Sequence, residues 1–169
     1  MRAAREQIIE HGPQIGMNTI AVAAGVAVGT LYRNFPTKAD LISAVNYEYA
    51  EEMVSDIEAT AARVAAGAPV LAEIRAVAAR FVEISAQNNA IRTAARVLTG
   101  GSEFGALESR ANNAVNVLLT VGVGARVLRP DISIADFTLL VATAPADQPP
   151  AARARWLTIV LDGLTTVRD

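Results

Sequence analysis

Apolar residues recur at helical spacing along almost the whole chain, and glycine and proline interrupt them at intervals. Met17, Ile20, Ala21 and Ala24 stand at i, i+3, i+4 and i+7, one face of a helix over 17–24. Leu41, Val45, Tyr49, Met53 and Ile57 recur every fourth residue. They predict one helix over 38–66, on the order of 40 Å long at ~1.5 Å per residue. Glu48, Glu51, Glu52 and Glu58 lie largely off that line and read as a solvated face. Gly67 and Pro69 break the pattern, and Leu71, Ile74, Val77, Ala78, Phe81 and Ile84 then mark the inward face of a helix over 70–86. Asn88 or Asn89 caps a shorter helix ending near 99. After Gly100-Gly101, Ser102 caps a helix reaching about 127, with Leu107, Ala114, Val115 and Leu118 inward. Ser133 caps 134–144, and the last helix, 151–167, follows a Pro/Ala/Asp/Gln segment. With an opening helix over 2–11, stopped by Gly12 and Pro13, the chain reads as all-α with about nine helices.

The stretch 21–38, AVAAGVAVGTLYRNFPTK, has a finer pattern. Gly25 separates two short helical segments, and a tight turn there needs a left-handed residue, which glycine adopts without a Cβ penalty. Ala21 leaves room for a steep crossing, and Val26 and Leu31 fill the angle. This is the spacing of a helix-turn-helix, which occurs both as a plain corner in helical proteins and as a DNA-reading unit. Pro36 ends the second segment, and Thr37 with Asp40 forms a capping-box pattern for the next helix. Lys38, the only lysine in the sequence, falls in that helix's first turn. A cation is poorly placed there for the helix dipole, and makes sense where a phosphate docks.

On these residues the chain resembles the TetR family of transcriptional regulators. GVAVGTLYRNFPTKADLISAV carries the glycine turn, Gly-Thr-Leu-Tyr in the recognition helix, an aromatic, and Pro-Thr-Lys opening the fourth helix. The likeness covers about residues 3–50, and the rest resembles the family only in its layout of helices. Asn34 stands where such regulators commonly carry a histidine, and the first helix lacks an apolar turn that the family usually has. The resemblance implies a three-helix DNA-binding domain, 1–47, joined by the long helix to a helical ligand-binding and dimerisation domain, 48–169. It also implies double-stranded DNA as partner, a palindromic operator met by a homodimer, and a repressor released by a small-molecule effector.

Charge agrees with that division. Residues 1–38 hold four basic and two acidic groups, and 39–169 hold eleven basic and fifteen acidic, so the net charge of −2 divides into a basic end and an acidic body. An apolar content of 52% is enough for a substantial core and for a partner surface as well. The chain has no cysteine, so a disulfide framework, a thiolate zinc site and a cysteine nucleophile are excluded. His11, the sole histidine, sits at a helix end and reads as a C-terminal cap. No HExxH or paired-carboxylate spacing occurs, so we expect no enzyme, no metal and no cofactor. Gly122-Val123-Gly124 follows no strand and lacks the third glycine of a dinucleotide motif. No apolar run approaches the ~18 residues of a membrane span, and 1–10 is charged and amphipathic. A cytoplasmic protein without membrane contact is expected.

The recognition helix would lie in the major groove. Thr30 and Tyr32 would bond phosphates, Arg33 and Asn34 phosphates or base edges, and Asn18 and Thr19 would anchor phosphates from the preceding helix, with Lys38 from the next. Ala27, Val28 and Gly29 offer backbone and apolar contact, Val28 to a thymine methyl. Gly29 costs roughly 1 kcal/mol in a helix, which close approach to DNA and tight internal packing explain equally well. A ligand cavity is expected among the helices at 38–66, 70–86, 88–99 and 102–127, with Tyr49, Phe81, Arg92 and Phe104 as candidates, each of which also fits plain core or surface. The last two helices are apolar on more than one face. Burial within the monomer and a subunit interface both account for this. The resemblance favours a four-helix bundle with a second copy, through Phe137, Val141, Trp156, Leu157, Val160 and Leu164. The rivals are a helical ligand-binding module without effective DNA binding and, further off, a small helical enzyme.

Overall fold

The structure, a computed structural model, describes residues 1–99 and 105–166. The expected break at Gly100-Gly101, the cap at Ser102 and the candidate Phe104 lie outside the described residues. Nine helices make up what is described: α1 (Arg2–His11), α2 (Met17–Ala23), α3 (Val28–Asn34), α4 (Lys38–Ala65), α5 (Val70–Gln87), α6 (Asn89–Thr99), α7 (Gly105–Gly124), α8 (Ile134–Thr143) and α9 (Pro150–Leu164). Among the described residues the only pairing of extended backbone is an isolated antiparallel bridge between Leu128 and Thr165.

The expected capping box at Thr37 forms, and the expected cap at Ser133 is a capping box as well. Thr37 Oγ1 accepts from the Asp40 N–H at 3.1 Å, while the Thr37 N–H donates to Asp40 Oδ2 at 2.8 Å. Ser133 and Asp136 repeat the arrangement at the start of α8. Two helix ends come earlier than the periodicity predicts. α7 stops at Gly124 because the chain folds back on itself. Arg126 takes a φ of 57°, and the Val127 and Leu128 N–H groups both donate to the Gly122 carbonyl, at 3.0 and 3.1 Å. α9 stops at Leu164, whose carbonyl accepts from the Arg129 N–H at 3.0 Å, while the Thr166 N–H donates to the Val127 carbonyl at 3.3 Å. The loop after α7 and the end of α9 are thereby clasped together.

The chain divides into two compact units, Met1–Glu51 with Gln87–Gly105, and Glu52–Ala86 with Ala106–Asp169. Helix α4 runs through both, and α6 groups with the first unit, whereas the division implied by the resemblance put it in 48–169. The core of the first unit joins Ile8 of α1, Ile20 and Ala21 of α2, Leu31 of α3, Leu41, Ile42 and Val45 of α4, and Ile91 of α6. Arg5 stitches its helices together: Nε donates to Asn88 Oδ1 at 2.9 Å, and the guanidinium lies 5.7 Å from the centroid of the Tyr49 ring.

The second unit is built on Ile57, Ala61 and Val64 of α4, Val70 and Val77 of α5, and Ala114, Val115 and Leu118 of α7. Ion pairs ring this core. Arg63 meets Glu73 at 2.7 Å and Arg80 meets Asp56 at 2.8 Å, joining α4 to α5. Arg153 of α9 reaches Glu83 of α5 at 2.7 Å and donates to the Gln148 carbonyl at 2.6 Å. Glu58, expected on a solvated face, instead receives Arg110 of α7 at 2.7 Å. These hydrogen bonds from Arg110 and Arg63 hold the Glu58 and Glu73 carboxyls below their ordinary 4.5. Their folded values lie below the unfolded ones, so the stabilisation is complete above the ordinary value and is lost as pH falls through the lowered values. Melting followed by circular dichroism is expected to show a Tm that holds down to about pH 5 and drops below it. A Tm that rises on acidification through this range would contradict the assignment. The effect is modest because these pairs are open to solvent.

Candidate functional site

The turn between α2 and α3 has the geometry its glycine predicts. Gly25 takes a φ of 68°. The Val26 N–H donates to the Ala21 carbonyl at 3.0 Å and the Gly25 N–H to the Val22 carbonyl at 3.0 Å, the paired bonds of a Schellman stop. Leu31 is buried below α3, and Val28 and Phe35 pack on the same core. Anchoring α3 through these three apolar positions turns Gly29, Tyr32, Arg33 and Asn34 outward, all exposed.

The polar heads of Arg33 and Asn34 fold back on the backbone of α3. Arg33 Nε donates to the Gly29 carbonyl at 3.2 Å, and Asn34 Nδ2 to the Thr30 carbonyl at 2.8 Å. Both bonds are exposed, so exchanging them for bonds to a phosphate or base edge involves little loss. Of the other candidates, Asn18, Thr19 and Ala27 are exposed, while Val28, Thr30 and Lys38 are half-buried. A Cβ placed on Gly29 would meet nothing within 4 Å. Internal packing therefore does not require this glycine.

Val22, 78% exposed on α2, was not singled out from the sequence, and Val26, expected to fill the angle between the two helices, is instead exposed in the turn. Val22 follows Thr19 by three residues and Asn18 by four, so helical spacing already put it on their face.

The second unit holds an apolar pocket of about 90 Å³, partly open to solvent, between α4, α5, α7, α8, α9 and the loop after α7. Its wall includes Ile74, Ala78, Phe81, Leu128, Leu140 and Leu161. Of the four expected pocket residues Phe81 lines it. Tyr49 is buried in the core of the first unit, Arg92 lies on α6 in that same unit, and Phe104 is outside the described residues. The six residues expected at a subunit interface, Phe137, Val141, Trp156, Leu157, Val160 and Leu164, all line this cavity. The apolar side chains that α8 and α9 present to solvent are Leu139, 62% exposed, and Ile159, 56% exposed. Among the described residues no three His, Cys, Asp or Glu side chains cluster as metal ligands would, and no helix is long and apolar enough to cross a membrane.

Residues 1–45 match the family described as bacterial regulatory proteins, tetR family. Among solved structures, the TetR transcriptional regulator SCO0520 from Streptomyces coelicolor is 27% identical with a TM-score of 0.74, over 99% of this chain and 97% of that one. The TetR transcription regulatory protein from Mycobacterium vanbaalenii is 25% identical with a TM-score of 0.66, over 98% and 92%. The ketosteroid transcriptional regulator KstR2 of Mycobacterium tuberculosis shares the fold at 20% identity and a TM-score of 0.59, over 98% and 93%. No curated protein sequence matches the chain. The helix-turn-helix unit thus matches the tetR family, and the chain shares its fold over the whole length with solved TetR transcriptional regulators.

Proposed function

We propose that the protein is a cytoplasmic repressor that binds a palindromic operator as a homodimer and is released by a small apolar effector, with no catalytic activity of its own. The observation that carries the DNA reading is the outward row Gly29, Tyr32, Arg33 and Asn34 on a helix held from below by Leu31. In this reading Gly29 and Ala27 bring the backbone of α3 against the major groove, and Val28 offers an apolar edge. Asn18, Thr19, Tyr32 and Lys38 hold phosphates, and Arg33 and Asn34 reach phosphate or base edges. One such unit spans few base pairs, and a two-fold dimer meets two half-sites about one helical turn apart. The second copy would lie on α8 and α9, whose outer sides expose Leu139 and Ile159.

The effector would occupy the cavity lined by Phe81 and by the inner sides of α8 and α9. It favours a conformer whose half-site spacing the operator does not match, and so shifts the population off DNA. Helix α4, shared by both units, is the continuous element between the 1–47 and 48–169 domains in this scheme.

Gel-shift titration of the purified protein against its own promoter and against random DNA, at moderate salt, tests the reading. Preferential binding to the promoter is expected, and Tyr32→Ala is expected to weaken it by about 1–3 kcal/mol per half-site. Equal binding to both DNAs, unchanged by Tyr32→Ala, would overturn it.

A further inference from the structure

The side chains at the start of the recognition helix are apolar, and this limits how the bases beneath them can be told apart. Val26 in the turn and Ala27 at the N-cap are exposed, and Val28, the first residue of α3, is half-buried against the core. Gly29 carries no side chain, and Thr30 is half-buried. The side chains that distinguish a base by two hydrogen bonds at once, those of arginine, lysine, asparagine and glutamine, are absent from 26–30. Arg33 and Asn34 come more than a turn beyond Val28.

Local stability does not account for this apolar start. Ala27 makes no side-chain bond to α3, where a serine or threonine would cap the helix. Val26 leaves 41% of its surface in water. Gly29, with open space at its Cβ position, leaves the backbone next to them free to come close to another surface.

In the major groove one group answers to such a surface. Thymine carries a C5-methyl that projects into the groove, and adenine, guanine and cytosine carry none. A methyl packed against Val26, Ala27 or the open part of Val28 removes apolar surface from water on both sides. The other base edges present hydrogen-bonding groups, which would lose water against these side chains without replacement. The same surface therefore favours thymine and disfavours its alternatives.

We propose that Val26, Ala27 and Val28 select the operator, at the base pairs under the first turn of α3, by the C5-methyl groups of thymine. The inference rests on the DNA-binding reading given above. It names what that reading leaves open, the chemical group recognised and Val26 as one of its readers.

Uracil is thymine without the methyl. A promoter fragment copied with deoxyuridine in place of thymidine keeps every hydrogen-bonding edge and loses the group in question. Gel-shift titration of the full chain against the two forms of the fragment is the test. Each buried methyl is expected to contribute about fourfold in affinity. A two-fold complex with one in each half-site should bind the deoxyuridine form about tenfold or more weakly. Random DNA should bind equally in both forms, because its contacts are to phosphates. Ala27→Ser supplies the missing cap and so should hold Tm or raise it. It is expected to narrow the difference between the two forms, and Val26→Ser is expected to do the same.

Equal affinity for both forms, with the preference over random DNA intact, would overturn the inference and leave the DNA-binding reading standing. The same follows if the deoxyuridine form binds weakly but neither Ala27→Ser nor Val26→Ser narrows the difference, since the methyls are then read by other residues. A chain that binds promoter and random DNA alike would overturn the DNA-binding reading and the inference together.

Discussion

Gly29→Leu is expected to leave the fold intact and to remove operator binding. A Cβ at this position meets nothing within 4 Å, and the residue is exposed in a regular helix. Leucine is a better helix former than glycine by up to about 1 kcal/mol, so Tm should hold or rise slightly. The same side chain stands where α3 would approach the floor of the major groove. Forcing a bulky group into a close-packed contact costs about 1–3 kcal/mol. A two-fold complex incurs this at both half-sites, and about 2–6 kcal/mol corresponds to at least a 30-fold loss of affinity. Melting and gel shift measured on the same preparation separate the two effects. Unchanged affinity for the operator would remove Gly29 from the interface and return its presence to chance.

Gly122→Ala is expected to have the opposite profile, damaging the body while sparing the DNA-binding unit. The new Cβ would lie 2.5 Å from Leu128 Cδ1 and 2.7 Å from its Cγ. Leu128 is buried, and its N–H is tied to the Gly122 carbonyl at 3.1 Å, so its backbone cannot retreat. The side chain has one direction open to it, the cavity that it already lines. Overpacking costs about 1–3 kcal/mol, of which helix propensity returns at most about 1 kcal/mol. Tm should fall by about 2–4 °C for each kcal/mol lost. In the Gly122→Ala, Leu128→Ala double variant the two costs should sum to less than their separate values, with a coupling of about 0.5–3 kcal/mol. Strict additivity would mean that the clash is relieved elsewhere.

The DNA-binding unit was legible because its determinants are local. Gly25 with its left-handed turn, the Thr37–Asp40 box, Pro36 and the buried Leu31 all lie within one short stretch, and each structure they specify forms. The helices of the body were legible from the same source, with ends in error where a distant segment intervened. α7 ends early because Leu128 returns to Gly122, and α9 because residues 127–129 pair with its C-terminal turn.

The cavity was not legible to the same degree. α8 and α9 are apolar on two sides, and the hydrophobic period says nothing about which side meets the core and which meets solvent. Phe137, Val141, Trp156, Leu157, Val160 and Leu164, expected at a subunit surface, are half-buried along the apolar pocket, and Leu139 and Ile159 are the exposed apolar side chains of these helices. Tyr49, expected in the pocket, is held in the first unit beneath Arg5, a contact across 44 positions of chain that no periodicity encodes.

By itself, then, the sequence determined the helices, the glycine turn, the caps and the outward row of α3, because each depends on dihedral preference and hydrogen bonds within a few residues. Tertiary structure alone decided that α6 joins the first unit, that Glu58 pairs with Arg110, and that one side of α8 and α9 lines an apolar pocket. Those outcomes depend on which apolar faces bury each other, a competition among distant segments that local preference leaves open.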